Sequence, residues 1–158
     1  MSHRAAEVES FRRYIVSTIR QLVEALDGLD EQALNWRPPA QETNSLLAIV
    51  THVLGNTEEN LLGTLCGVVV ERDRDGEFAT RVASTNALRE KWRLLESEIG
   101  VTLAQLAPSE LDRERDHPRR GRLTGREVLL VVARHAAEHW GEAQLTLSLL
   151  RAHRGGRS

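Results

Sequence analysis

Apolar residues return at three- and four-residue steps along most of this chain, and that rhythm lays out its helices. From about Ala5 to Leu26, the residues Val8, Phe11, Ile15, Ile19, Leu22 and Leu26 keep to one stripe, which predicts an amphipathic helix of about six turns. Gly28 stops it, and Asp30 opens a short helical turn carrying Ala33 and Leu34. Pro38 and Pro39 then hold Trp36 and Arg37 extended, because a proline ring clashes with helical backbone just before it. Thr43, Asn44 and Ser45 offer N-caps for a second helix that reaches about Leu65. Its apolar residues, from Leu46 and Leu47 through Val53 and Leu54 to Leu61, Leu62 and Leu65, cover much of its circumference and predict a central position.

Gly67 to Glu71 reads as a short strand or a loop, and ERDRDGEF from Glu71 to Phe78 as a charged loop turning at Gly76. Ser84 or Thr85 caps a third helix, with Leu88, Trp92, Leu95 and Ile99 on its buried face and Gly100 as its end. The segment from Leu103 to Leu123 holds two prolines and dense charge, with a short turn around Ser109–Leu111. A connection of that length often serves as a lid or a crossover. Thr124-Gly125-Arg126-Glu127 is a capping box that starts a fourth helix, running to about Arg151 before RAHRGGRS frays. Four helices without paired strands predict an all-α four-helix bundle, with residues 1–158 as one domain.

Composition narrows the function classes. Hydrophobic residues at 41% and charged ones at 28% are ordinary for a globular chain of 158 residues. The formal net charge of −2 supplies no general basic field for nucleic acid. Arg119, Arg120, Arg122 and the arginines of the Arg151–Arg157 tail read as local solvated clusters. A lone Cys66 excludes an internal disulfide, fits a reducing, cytoplasmic compartment, and follows Leu61, Leu62 and Leu65 as a buried thiol would. Ser2 to Ser10 is too polar for a signal peptide, and Val128–Ala133 is too short to span a membrane.

The fourth helix carries the candidate chemistry. His135 and His139 lie four residues apart, so they stack one turn above the other on one helix face. Val128, Val131 and Val132 lead into that face, and Ala143, Thr146 and Leu150 continue it, which turns both imidazoles toward the core. Two neutral imidazoles at this spacing suit one divalent ion at about 2.0–2.1 Å. It is not the protease motif HExxH, since Ala136 stands where the glutamate belongs. Trp140 points about 100° away from His139 and is expected to pack on a neighbouring helix.

On the second helix, Ser45, Ala48, His52, Asn56, Glu59 and Gly63 form a stripe of small or polar residues. Asn56 and Glu59 read equally as the wall of a ligand pocket and as the solvated side of the helix. His52 is the one further histidine inside a predicted core helix. His3 and His153 belong to the termini, and His117, before Pro118, reads as solvated surface. The expected metal site is therefore His52, His135 and His139, with Glu59 or Glu142 as a proton carrier.

LNWRPP at Leu34–Pro39, TNSLLAIVTHV at Thr43–Val53, RDRDGEF at Arg72–Phe78 and HAAEHWGEAQ at His135–Gln144 together resemble the DinB-like superfamily. That superfamily includes thiol-dependent transferases and mycothiol-dependent maleylpyruvate isomerases. The resemblance implies a four-helix bundle in which His52, His135 and His139 bind a divalent metal; three imidazoles suit zinc, nickel, iron and copper alike, and zinc or nickel is expected first, then iron. It also implies a low-molecular-weight thiol, of mycothiol or bacillithiol type, as cosubstrate for an electrophilic small molecule, and often a homodimer. Many relatives carry glutamine where this chain has Glu142, which adds an acid beside His139. A non-catalytic metal-binding or stress-related bundle, with Glu59 or Glu142 closing the site, and a metal-dependent hydrolase stand as alternatives. So does a bundle whose core histidines are merely hydrogen-bonded. Neither nucleic acid nor membrane is expected as a partner.

Overall fold

A computed structural model describes residues 3–156, with side chains from residue 4. The expected exposure of His3 and the state of the last two residues of the tail lie outside the described residues. Four long helices appear where the apolar stripes predicted them: α1 (His3–Glu24), α3 (Leu46–Glu58), α5 (Asn86–Gln105) and α6 (Gly125–Gly155). Two short ones, α2 (Glu31–Asn35) and α4 (Arg74–Ala79), lie between them. Helix α1 packs on α5 and α6, and α3 packs on α6 and α1, so the architecture is a helical bundle. Ile15, Ile19, Leu22, Leu46, Ile49, Leu54, Leu61 and Ile99 are fully buried where these faces meet. Each such side chain contributes roughly 1.5–3 kcal/mol relative to exposure. Among the described residues, no helix is long and apolar enough to cross a membrane.

The helix starts follow their caps. Ser45 Oγ accepts from the Ala48 amide at 3.2 Å, and Asp30 Oδ1 from the Ala33 amide at 2.8 Å. The capping box at Thr124 closes in both directions, at 2.7 Å to Glu127 Oε2 and 3.2 Å from the Glu127 amide. Helix α6 reaches past the expected Arg151 to Gly155, because Arg154 pairs with Asp30 at 2.6 Å and the His153 ring lies 5.5 Å from that of Trp36. Helix α5 runs through Gly100 to Gln105: Leu103 continues its buried stripe, and one glycine costs only about 1 kcal/mol in a helix.

Three expectations are corrected. ERDRDGEF is not a plain loop: Asp73 caps α4 by accepting from the Gly76 amide at 2.9 Å, so Gly76 lies inside the helix rather than at a turn. The connection after α5 contains a 3-10 turn, Pro108–Leu111, close to where one was expected, and also a small antiparallel hairpin, β1 (Glu114–His117) with β2 (Gly121–Thr124). Its charged alternation hid it. Cys66 is exposed, not buried. Residues Glu59–Leu65 form a π-helical continuation of α3, whose wider turn swings Cys66 off the stripe of Leu61, Leu62 and Leu65.

Candidate metal centre

Helix α3 brings His52 and α6 brings His135 and His139 to one point, with the three rings 4.4–5.0 Å apart between centroids. One nitrogen from each lies within 4.8 Å of the other two, so the cluster could hold a metal ion; His52 is buried and the other two are partly buried. His52 Nε2 and His135 Nε2 are 3.1 Å apart. Two nitrogens at about 2.0–2.1 Å from one ion sit roughly 2.9–3.4 Å apart, for bond angles from octahedral to tetrahedral. The spacing fits.

The far sides of two rings are held by carboxylates. A carboxylate can only accept, so His52 Nδ1–H donates to Glu77 Oε2 at 2.9 Å and His139 Nδ1–H to Glu142 Oε2 at 2.7 Å. Each Nε2 lone pair is thereby left facing the centre, the arrangement that supports metal-ligating histidines. His135 differs. Burial above all, helped by His139, His52, Arg72 and Arg120, pushes its imidazole down to about 2, so it is neutral. Its Nδ1 is buried without a partner among the described residues. If Nδ1 carries the proton, two bare Nε2 lone pairs confront each other at 3.1 Å; if Nε2 carries it, Nδ1 is a buried unsatisfied acceptor. Either state costs on the order of 1–3 kcal/mol. A cation between the Nε2 atoms removes the lone-pair repulsion, so this donor set fits a metal better than hydrogen bonding alone.

Behind His52 lies a charge network that the sequence reading missed. Arg72, its side chain only 5% exposed, grips Glu77 through Nε at 2.7 Å and Nη2 at 2.8 Å, and reaches Glu59 Oε2 through Nη1 at 2.9 Å. Arg119 takes Glu59 from the other side, donating to Oε1 at 2.8 Å and also to Oε2. Burial alone would raise both carboxyls. At Glu59 the Arg119 and Arg72 guanidiniums overcome it, and at Glu77 His52 and Arg72 do, so each lies below its ordinary range. Glu142 is lowered chiefly by its bond to His139, against burial, with Asn44 donating to Oε1 at 3.3 Å. Gly55 makes room for the network: a Cβ there would fall 1.9 Å from Glu77 Oε1. The pairing of Asp73 as cap with Gly76 was the available signal that Glu77 sits on a helix.

His117 is buried, not solvated, and this expectation is corrected. Its Nδ1 accepts from the Arg119 amide at 3.0 Å, which leaves Nε2–H to donate to Asn60 Oδ1 at 3.0 Å. Burial first, then Arg119, depresses its pKa. The ring pins the hairpin turn to the π-helical segment, and thereby sets Arg119 and Arg120, both solvent-exposed as expected, at the edge of the histidine cavity. Trp140 is half-buried against the core, as its direction predicted.

The three histidines open on a cavity of about 580 Å³, walled also by Asn44, Asn56, Arg72, Arg74, Phe78, Arg119 and Arg120. Clefts of about 710 and 700 Å³ lie elsewhere, but neither is lined by a histidine, and chemistry outweighs size here. Asn56 thus belongs to the pocket wall, while Glu59 sits behind it among arginines.

If Glu142 orients His139, Glu142→Ala lowers metal affinity by about 10–100-fold. Glu142→Gln, whose amide oxygen still accepts from Nδ1–H, restores part of it. Competition against a chromophoric chelator reads both; equal affinity in all three proteins would remove this role from Glu142.

No curated protein matches the chain. The sequence profile of the DinB superfamily matches residues 14–143, a span that contains His52, His135 and His139, all of α3 and α4, and α6 as far as Ala143. With the bundle and the three-histidine cluster both in place, the match over most of the chain's length makes this protein a member of the DinB superfamily.

Proposed function

We propose that this protein is a metal-dependent transferase that joins a low-molecular-weight thiol, of mycothiol or bacillithiol type, to an electrophilic small molecule. The observation that carries the reading is the open side of the cluster. Among the described residues the ligand set stops at three imidazoles, which face a cavity large enough for a small molecule. Glu142 is engaged at the back of His139 and Glu59 between two guanidiniums, so neither closes the site in the manner of a structural centre. A divalent ion there supplies the pKa depression that makes a thiol a thiolate at neutral pH.

The chain's own residues do the remainder. Glu77 and Glu142 fix the ring orientations of His52 and His139, and Arg72 fixes Glu77. Phe78, its ring 4.4 Å from that of His52, shields one side of the cluster from water. For Glu59 and Glu142 we favour positioning over proton transfer, since each is held ionised below the ordinary carboxylate range. In the reaction the thiol proton leaves to solvent and sulfur forms a bond to carbon. With an alkyl halide the halide departs with the bonding electron pair; with an activated alkene the π pair moves to the neighbouring carbon, which takes up a proton from solvent.

The test offers metal-loaded protein a thiol panel containing mycothiol and bacillithiol, together with alkyl halide and activated-alkene electrophiles, and reads S-conjugates by mass spectrometry. Conjugation that requires protein, metal and thiol together is expected. Hydrolysis of activated esters or lactones without thiol would replace this reading with the hydrolase one. Bound metal with neither activity would favour a non-catalytic bundle.

A further inference from the structure

We propose that the mouth of the histidine cavity is an anion-binding subsite built by Arg74 and Arg120, and that one cosubstrate carries a carboxylate seated there. The attachment of that carboxylate to a cosubstrate rests on the transferase reading; the subsite itself rests on charge and placement alone.

Four arginines line the cavity. Arg72 and Arg119 are matched by two carboxylates, Glu59 and Glu77, and that set is neutral as a whole. Arg74 and Arg120 have no ion-pair partner among the described residues, so two positive charges face the cavity against ionised Glu142 behind His139 and Asn44, and the lining stays net positive. A divalent ion would add to the same sign. Such a cavity attracts anions and disfavours neutral molecules of the same shape, and paired guanidinium forks suit a carboxylate's two oxygens.

Both arginines sit on anchored supports. The Arg74 guanidinium lies 5.5 Å over the Phe78 ring, which in turn lies 4.4 Å from the His52 ring, so a stack of three groups runs from the cluster toward the mouth. Arg120 belongs to the hairpin turn, where its amide donates to the His117 carbonyl at 3.4 Å and the buried His117 ring bonds Asn60.

A second, independent observation points to a ligand. Asn56 lines the same cavity, is only 6% exposed, and its Oδ1 is buried with no hydrogen-bond partner among the described residues. A buried acceptor left bare is costly, and a donor on the ligand, an amide N–H or a hydroxyl, satisfies it. The occupant is therefore a small molecule with an anionic group at the arginines and a hydrogen-bond donor toward Asn56.

The experiment compares 3-mercaptopropionate with 3-mercapto-1-propanol, equal in reach but differing in charge, by calorimetry on zinc-loaded protein at low ionic strength. The wild type is expected to bind the carboxylate about tenfold more tightly, and Arg74→Gln/Arg120→Gln to erase that preference; Arg93→Gln, an exposed arginine on α5, should keep it. A preference unchanged in the double variant overturns the subsite. If neither thiol binds, the transferase reading fails. The subsite is then decided in metal-free protein by whether succinate slows phenylglyoxal modification of Arg74 and Arg120 relative to Arg93, mapped by peptide mass. Selective protection upholds it, and equal modification overturns it. In turnover, the cosubstrate whose KM rises in the double variant is the one that bears the carboxylate.

Discussion

Purified His135→Ala protein retains less than about a tenth of the divalent metal carried by the wild type, and thiol transfer disappears with it. Removing one of three imidazoles leaves two ligands on different helices, and affinity falls by about 100-fold or more, on the order of 3 kcal/mol at least. This variant isolates ligation from folding. Among the described residues His135 Nδ1 bonds nothing and its one side-chain hydrogen-bond contact is His52 at 3.1 Å, and alanine is the best helix former at a mid-helix position. Helical circular dichroism should therefore match the wild type. Elemental analysis of protein made without tag or chelator supplies the measurement. Near-stoichiometric metal in the variant would place the ion elsewhere and undo the three-histidine site.

Arg72→Met should be the most destabilising single change near the site, costing about 3–5 kcal/mol, because it strands buried carboxylates that had a partner. Glu77 suffers most: it keeps only His52, whereas Glu59 keeps Arg119. The pH dependence carries the signature. In the wild type both carboxyls have depressed folded pKa values, so their stabilisation is fully present above the unfolded value of about 4.3 and is lost as pH falls through the folded values. Without Arg72, burial is no longer outweighed at Glu77, its folded pKa rises, and acid relieves the stranded charge. Urea melts at pH 7 and pH 4 should show the gap between variant and wild type narrowing in acid. Curves that stay parallel would mean that Arg72 does not hold Glu77 ionised.

The long helices were legible because burial on one face imposes a period the eye can count, and the caps at Ser45, Asp30 and Thr124 were legible because their chemistry is local. His135 and His139 were readable for the same reason: four-residue spacing needs no knowledge of the partner helix. His52 followed from its place on an apolar helix. Of the supporting groups, Glu142 was named beside His139, but those behind His52 were not readable. Arg72 and Glu77 have meaning only against His52 and Glu59, which come from a different helix, and in a string such as ERDRDGEF every charge looks solvated. His117 was hidden likewise, since what buries it is Asn60, 57 positions away. Cys66 failed for a subtler reason: a period of 3.6 was carried through a π-helical segment where it does not hold.

The dispersed origin of the site has one more consequence. Its parts come from the second long helix, the capped turn after it, the hairpin and the last helix, and its two nearest nitrogens stand 83 positions apart in the chain. None of these pieces holds the ligand set alone, so the site exists only where α3 is docked against α6. An ion held there would act as a clasp on that docking, since the ligands it joins belong to both helices.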